Sequence, residues 1–184
     1  RVADGRGSSV LDAGTGGADI PRTLVLRARR ACRPIEVVAC DNHPGILQAA
    51  MDASPSFPEI RFERGDALNL PFPDRHFDAA ICSLLAHHLD AEGVVRLCRE
   101  LDRLTRRGFV LLDLERTRRA WAGVWLATRL VRGNRLTCHD GPLSVLRAYT
   151  LEEMRGIVRR ADCRDVRVLR YGWFRLLVVQ EKPS

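Results

Sequence analysis

Three features of the sequence predict an α/β fold: a mostly parallel sheet with helices on both faces. Short apolar runs alternate with longer amphipathic stretches through the first two thirds of the chain, the order that parallel strand–helix units require. The first apolar run ends in a glycine-rich turn, Gly14-Thr15-Gly16-Gly17, with Pro21 a few residues on. The C-terminal stretch VRVLRYGWFRLLVVQ breaks the alternation and reads as two strands around Gly172, an antiparallel hairpin.

Each element follows from local pattern. Residues 10–13 form a first strand, and a helix follows over about 20–31 with Pro21 in its first turn, where a missing N–H costs nothing. Residues 36–40 are a second strand and 44–53 a second helix. Residues 60–64 alternate as a short third strand. Residues 78–82, Asp-Ala-Ala-Ile-Cys, are predicted to be a strand buried on both faces. A helix over 91–105 and a fifth strand from Gly108 follow. Thr150, with Glu153 three residues later, is a capping box for a helix ending near Ala161.

At 184 residues the chain is expected to be one domain with a sizeable core. No stretch approaches the roughly 18 consecutive apolar residues of a membrane span. Six cysteines are scattered without a C-x-x-C pair, which indicates neither a zinc knuckle nor a thioredoxin-like site. Reduced thiols and a cytoplasmic location are expected. The formal charge of +7 raises a nucleic-acid reading. Lys182 is however the sole lysine, and the arginines spread along the chain rather than forming one block. Such a skew resembles coding bias more than selection for phosphate binding, and nucleic acid is disfavoured as a partner.

In a parallel α/β sheet, ligands bind beyond the carboxyl ends of the strands, where the glycines of the first turn fall. A dinucleotide fingerprint would need a small residue at position 19, which is Asp19. Asp12 just before the turn would repel a pyrophosphate and suits a cation. The stretch VLDAGTGGADIP resembles motif I of class I S-adenosylmethionine-dependent methyltransferases. VVACDNHPGIL (residues 37–47) is similar to that family's second-strand motif, GDALNLPFPDRHFD (65–78) to its next segment, and DAAICSLLAHHL (78–89) to its fourth-strand region. The resemblance implies a Rossmann-like seven-stranded sheet, S-adenosyl-L-methionine as cofactor, and a domain lacking helices that relatives carry upstream.

The same resemblance implies cofactor contacts from Asp12, Gly14, Thr15, Gly16 and Gly17 around the first turn. Asp41 would bridge the ribose hydroxyls with Asn42 beside it, Asp66 and Ala67 would meet the adenine, and Cys82 closes the set. Read without the family, Asp41 could instead cap the helix at Pro44, Asp66 could stabilise a turn, and Asp12 could pair with a surface arginine.

The acceptor is less defined. SLLAHHLD resembles the H-H-L turn of small-molecule methyltransferases of the ubiquinone and menaquinone type, making His87 and His88 candidate bases for a hydroxyl proton. Adjacent residues take opposite sides of a regular element, so one of the two is expected to reach substrate. Residues 118–149 form an insertion that would cover a hydrophobic acceptor, touch a membrane surface or complete the core. Within it Trp121, Val124, Trp125 and Leu130 suggest one apolar helical face. His139, Asp140 and Arg147 are candidate substrate-binding residues, with a helix-capping loop as the alternative. The N/D-P-P-Y/F motif of base-nitrogen methyltransferases is replaced by Cys82-Ser83-Leu84-Leu85. Together these features predict methyl transfer to a small, hydrophobic, hydroxylated aromatic, polyketide or quinone-like acceptor, without a metal. O-methylation leads and C-methylation stands close behind. The alternatives are an RNA or protein methyltransferase, or a non-catalytic cofactor-binding subunit.

Overall fold

The computed structural model describes residues 7–117, 122–123 and 143–183. Its strands are β1 (Ser8–Ala13), β2 (Ile35–Asp41), β3 (Ile60–Arg64), β4 (Ala79–Ser83), β5 (Phe109–Leu114), β6 (Val166–Tyr171) and β7 (Arg175–Gln180). They form one seven-stranded sheet in the order β3-β2-β1-β4-β5-β7-β6. The first five pair in parallel, and β7 runs antiparallel to both β5 and β6. The helices are α1 (Asp19–Arg30), α2 (Pro44–Asp52), α3 (Ala91–Leu104) and α4 (Leu151–Ala161). β1 and β4 are neighbours in space but not in sequence, so the connections diverge there and leave a crevice at their carboxyl ends.

Side-chain alternation divides the core between the two faces. Val10, Val37, Ala39 and Ile60 pack with Val25 of α1 on one face. Leu11, Ala80, Cys82, Phe109, Leu111, Leu176 and Val178 point to the other, where Val94, Leu97 and Leu101 of α3 meet Met154 and Ile157 of α4. The i, i+3, i+4 spacing on α3 and α4 puts these residues on one stripe each. Asp90 starts α3 by accepting from the Gly93 amide at 2.7 Å. Thr150 and Glu153 make the predicted reciprocal capping box on α4.

One expectation is refined and one alternative falls away. β4 is buried more deeply on one face than on the other: Ala80 and Cys82 are inside, while Ala79, Ile81 and Ser83 are half-buried, with Ile81 packed against the cluster of Val10, Val25 and Val37. The strand's continuous apolar run reflects small and apolar residues on both faces, although only one of them lies under α3 and α4. Asp41 does not cap α2. That role falls to His43, whose Nδ1 accepts from the Ile46 amide at 3.2 Å. Most of the insertion over 118–149, including Trp121, Val124, Trp125, Leu130, His139 and Asp140, lies outside the described residues. Residues 143–147 are helical, and Tyr149 bridges to Glu115 just beyond β5. Among the described residues, no helix is long and apolar enough to cross a membrane.

Candidate functional site

The crevice is built from the loops that leave β1 to β4. After β1 the backbone turns through Gly14 at φ 74° and Gly16 at φ 53°, a region that side chains disfavour. At Gly14 a methyl group would also meet Leu85 Cδ2 at 3.1 Å, so the glycine leaves space as well as conformational freedom. The Gly14 and Thr15 amides both donate to the Cys40 carbonyl, at 2.9 and 2.8 Å, which holds the turn against the end of β2. Arg22 fastens the far side, donating to the Gly17 carbonyl at 2.8 Å and to Ser54 Oγ at 3.0 Å.

Asp41 joins two of the loops. Its Oδ2 accepts from the Gly16 amide at 3.0 Å and its Oδ1 from the His43 amide at 2.9 Å. A carboxylate oxygen has a second lone pair, so both retain capacity for a ligand hydroxyl. Asp66 lies across the opening after β3, exposed, with Oδ1 accepting from the Leu68 amide at 3.0 Å. Asp12 sits below the turn, only 1% exposed, where Thr15 Oγ1 donates to its Oδ2 at 2.6 Å. Burial pushes its carboxyl up to about 6, with the Thr15 hydrogen bond opposing and the nearby Asp41 charge adding to the rise.

These loops enclose a cavity of about 220 Å³ lined by Gly14, Asp41, Asn42, Asp66, Ala67 and Leu85, among others. That is smaller than the roughly 300–1,000 Å³ of drug-sized sites, room for part of an elongated ligand. Its described lining contains neither lysine nor arginine. A larger cavity of about 630 Å³ opens at the opposite end of the sheet, between Pro34, Glu36, Arg61 and His76. It lies beside the strand entrances, away from the acids and the histidine pair, and we place the site in the smaller one.

The structure brings five of the sequence-predicted residues, Gly14, Asp41, Asn42, Asp66 and Ala67, onto one cavity wall. Thr15 and Asp12 are buried beneath it, and Gly16 and Gly17 complete the turn. Cys82 is wholly buried, with its thiol pushed up by that burial, and its side chain presents nothing to the crevice.

Beyond β4 the chain bends sharply at Leu84, a non-glycine residue at φ 58°. Such a conformation costs on the order of 1 kcal/mol, and the Leu84 amide is pinned to the Leu112 carbonyl at 2.9 Å. The bend carries Leu85 and Leu89 to the cavity and places a 3₁₀ turn, Ala86–His88, between them. His87 is 6% exposed and Asp113 of β5 is 2% exposed. His87 Nδ1 lies 2.7 Å from Asp113 Oδ1, and the His87 amide donates to Asp113 Oδ2 at 3.2 Å. His88 is exposed, and its ring centroid is 4.1 Å from that of His87. The two rings therefore contact each other rather than taking opposite sides, because successive residues of this tight turn are about 120° apart. Burial, the neighbouring His87 and Arg147 hold the His88 imidazole below its usual range, with Asp113 opposing. Arg147 is exposed on the helical segment 143–147. Tyr149 donates its hydroxyl to the Leu89 carbonyl at 2.7 Å. Burial and nearby carboxylates push its phenol up.

Sequence reasoning missed Asp113 and His43. Asp113 interrupts the apolar run Phe109-Val110-Leu111-Leu112-Asp113-Leu114 at an inward position, and an acid on the buried phase of a strand was the available signal. His43 directly follows the Asp41-Asn42 pair, and its capping role depends on loop geometry that spacing does not reveal.

A family model described as a methyltransferase domain matches residues 10–108. A demethylmenaquinone methyltransferase of Deinococcus radiodurans is 43% identical over 75 residues, 40% of this chain and 30% of that protein. A 2-phytyl-1,4-naphtoquinone methyltransferase of Synechococcus elongatus is 33% identical over 116 residues, 60% of this chain and 47% of that protein. The chain thus spans less than half the length of these curated relatives. Among solved structures, a SAM dependent methyltransferase from Aquifex aeolicus superposes with a TM-score of 0.66 at 19% identity, covering 95% of this chain and 81% of the other. The CMeT domain of the citrinin polyketide synthase gives 0.70 at 15% identity, covering 97% and 48%. At these identities the likeness is one of fold.

Proposed function

Because this chain belongs to the methyltransferase-domain family, within the class I S-adenosylmethionine-dependent methyltransferases, we propose that it transfers a methyl group to a small, hydrophobic, hydroxylated acceptor. The observation that carries the reading is an acid-rimmed crevice, free of lysine and arginine in its described lining, at the switch point between β1 and β4. The donor set fits the cofactor: Asp41 for ribose hydroxyls, Ala67, Leu68 and Leu85 for an apolar ring, and Asp12 and Asp41 as a negative field for a cation. When bound, S-adenosylmethionine supplies an electrophilic methyl group on a sulfonium centre. What the protein adds is alignment of the acceptor and a base for its proton.

His87 is the base in this reading. It stands on the turn between Leu85 and Leu89, which line the crevice, so a proton taken there comes from an acceptor beside the cofactor. Arg147, close enough to His88 to depress it, would hold an anionic substituent of the acceptor. The names of the two quinone-acting relatives support a quinone-like acceptor. O-methylation is the leading chemistry. C-methylation of a ring activated by the same deprotonation is the second. Among the described residues Cys32, Cys40, Cys82, Cys98 and Cys163 are free thiols, which fits a reducing, cytoplasmic setting.

The test is transfer of radiolabelled methyl from S-adenosylmethionine into a cell extract, partitioned into solvent-soluble, protein and nucleic-acid fractions. Label is expected in the solvent-soluble fraction. Label confined to RNA or to protein would overturn the small-molecule acceptor.

A further inference from the structure

We propose that Asp113 is a positioning residue for the proton-accepting step. It fixes His87 in the tautomer that carries its proton on Nδ1 and leaves Nε2 bare. The inference rests on the methyl-transfer reading and extends it to a residue that touches neither cofactor nor acceptor.

The hydrogen bonds around Asp113 point to which way the proton lies. Its Oδ2 receives the His87 amide at 3.2 Å, and its Oδ1 receives the Leu114 amide at 2.6 Å. Backbone amides can only donate, so both oxygens act as acceptors, the pattern that suits an ionised carboxylate best. With Asp113 as an acceptor on both oxygens, the 2.7 Å contact between Oδ1 and His87 Nδ1 takes its hydrogen from the ring. A neutral imidazole carries one N–H, and committing it to Nδ1 frees Nε2 to accept.

Both residues are held by backbone and side-chain contacts. Asp113 is held in the sheet by pairing of β5 with β7, where it stands opposite Leu176. His87 is tied to it twice, through ring and amide, and both side chains are buried. Among the described residues, the charged and titratable groups beside His87 include Asp113 from β5 and His88 on the same turn, with Arg147 from the segment 143–147 acting on that His88. Among these Asp113 alone is hydrogen-bonded to the His87 ring in the described residues.

In the step itself, the acceptor O–H bond breaks and its proton forms a bond to Nε2, using the nitrogen lone pair. The oxygen keeps the O–H electron pair, which becomes available for the new bond to carbon. His87 becomes an imidazolium whose Nδ1–H already points at a carboxylate, so the charge appears where a counter-charge is in place. Without Asp113 the imidazole would be free to rotate and to carry its proton on Nε2, where it blocks the acceptor.

The experiment is long-range ¹H–¹⁵N NMR of the ligand-free chain, with the His87 signals assigned by their loss in His87→Gln. Neutral His87 is expected to show a protonated Nδ1 and a bare Nε2. In Asp113→Asn that preference should be lost. In methyl-transfer assays Asp113→Asn should lower kcat by about 10²–10⁴-fold, with calorimetric affinity for S-adenosylmethionine unchanged. An Nε2–H tautomer in the unaltered chain overturns the proposal, as does Asp113→Asn with undiminished kcat. Should Asp113→Asn fail to fold, the spectrum of the unaltered chain decides alone. The tautomer is read without ligand, so its failure is distinct from a failure to bind S-adenosylmethionine.

Discussion

Asp12 is held at the end of β1 with almost no access to water, and its carboxyl is pushed up to about 6 from 3.8 by that burial. The folded chain therefore binds this proton more tightly than the unfolded chain does. Between the two values stability falls as pH rises, and above about 6 the ligand-free fold carries the full desolvation cost, roughly 3 kcal/mol for a shift of about two units. A cationic ligand reverses the sign, because it prefers the ionised carboxylate beneath it. Affinity for S-adenosylmethionine should thus weaken as pH falls below about 6, by up to about tenfold per unit. Asp12→Asn should flatten that dependence while raising the stability of the ligand-free chain at neutral pH. Calorimetric titrations between pH 5 and 8, paired with urea unfolding, would check both. A pH-independent affinity in the unaltered chain would remove Asp12 from the binding account.

At the scale of elements, the loop leaving β3 depends on α3 more than on its own sequence. Glu100 of α3 accepts from the Leu70 amide at 2.8 Å. Arg103, one turn on, donates to Glu100, to the carbonyls of Leu70 and Phe72, and to Asp74. The helix thereby holds the segment that follows Asp66 and Ala67, and Phe72 and Phe77 pack edge to face within it. Removing one partner of such a pair leaves a largely buried carboxylate without its counter-charge. Arg103 is one-third exposed, so water softens the loss. Arg103→Ala should cost about 2 kcal/mol in urea denaturation, below the 3–5 kcal/mol of a fully buried pair. A change under about 0.5 kcal/mol would show that the loop holds itself.

Across the whole molecule, the parts legible in the sequence are those that repeat with a fixed period or a short spacing. The alternation of strands and helices, the capping box at Thr150 and Glu153, and the hairpin around Gly172 are of this kind, and the structure has each of them. So is the ordered set of loops that places Gly14, Asp41 and Asp66 on one cavity, because each follows its own strand in a single parallel sheet. What escaped depends on contacts between distant segments. Asp113 meets His87 across 26 positions, and Glu100 meets Leu70 across 30. The unequal burial of the two faces of β4 was also hidden, since a run of small and apolar residues does not say how deeply each face is covered.

The central claim is that a sulfonium nucleoside binds over the ends of β1 and β2. Isothermal calorimetry with S-adenosylmethionine, S-adenosylhomocysteine and NAD, on the unaltered chain and on Asp41→Ala, tests it most directly. The account predicts heat of binding with the two sulfur nucleosides and none with NAD, and an affinity at least about tenfold weaker in Asp41→Ala, as loss of a charged hydrogen-bonding partner would give. Binding of NAD alone, or equal affinity in the two proteins, would contradict it.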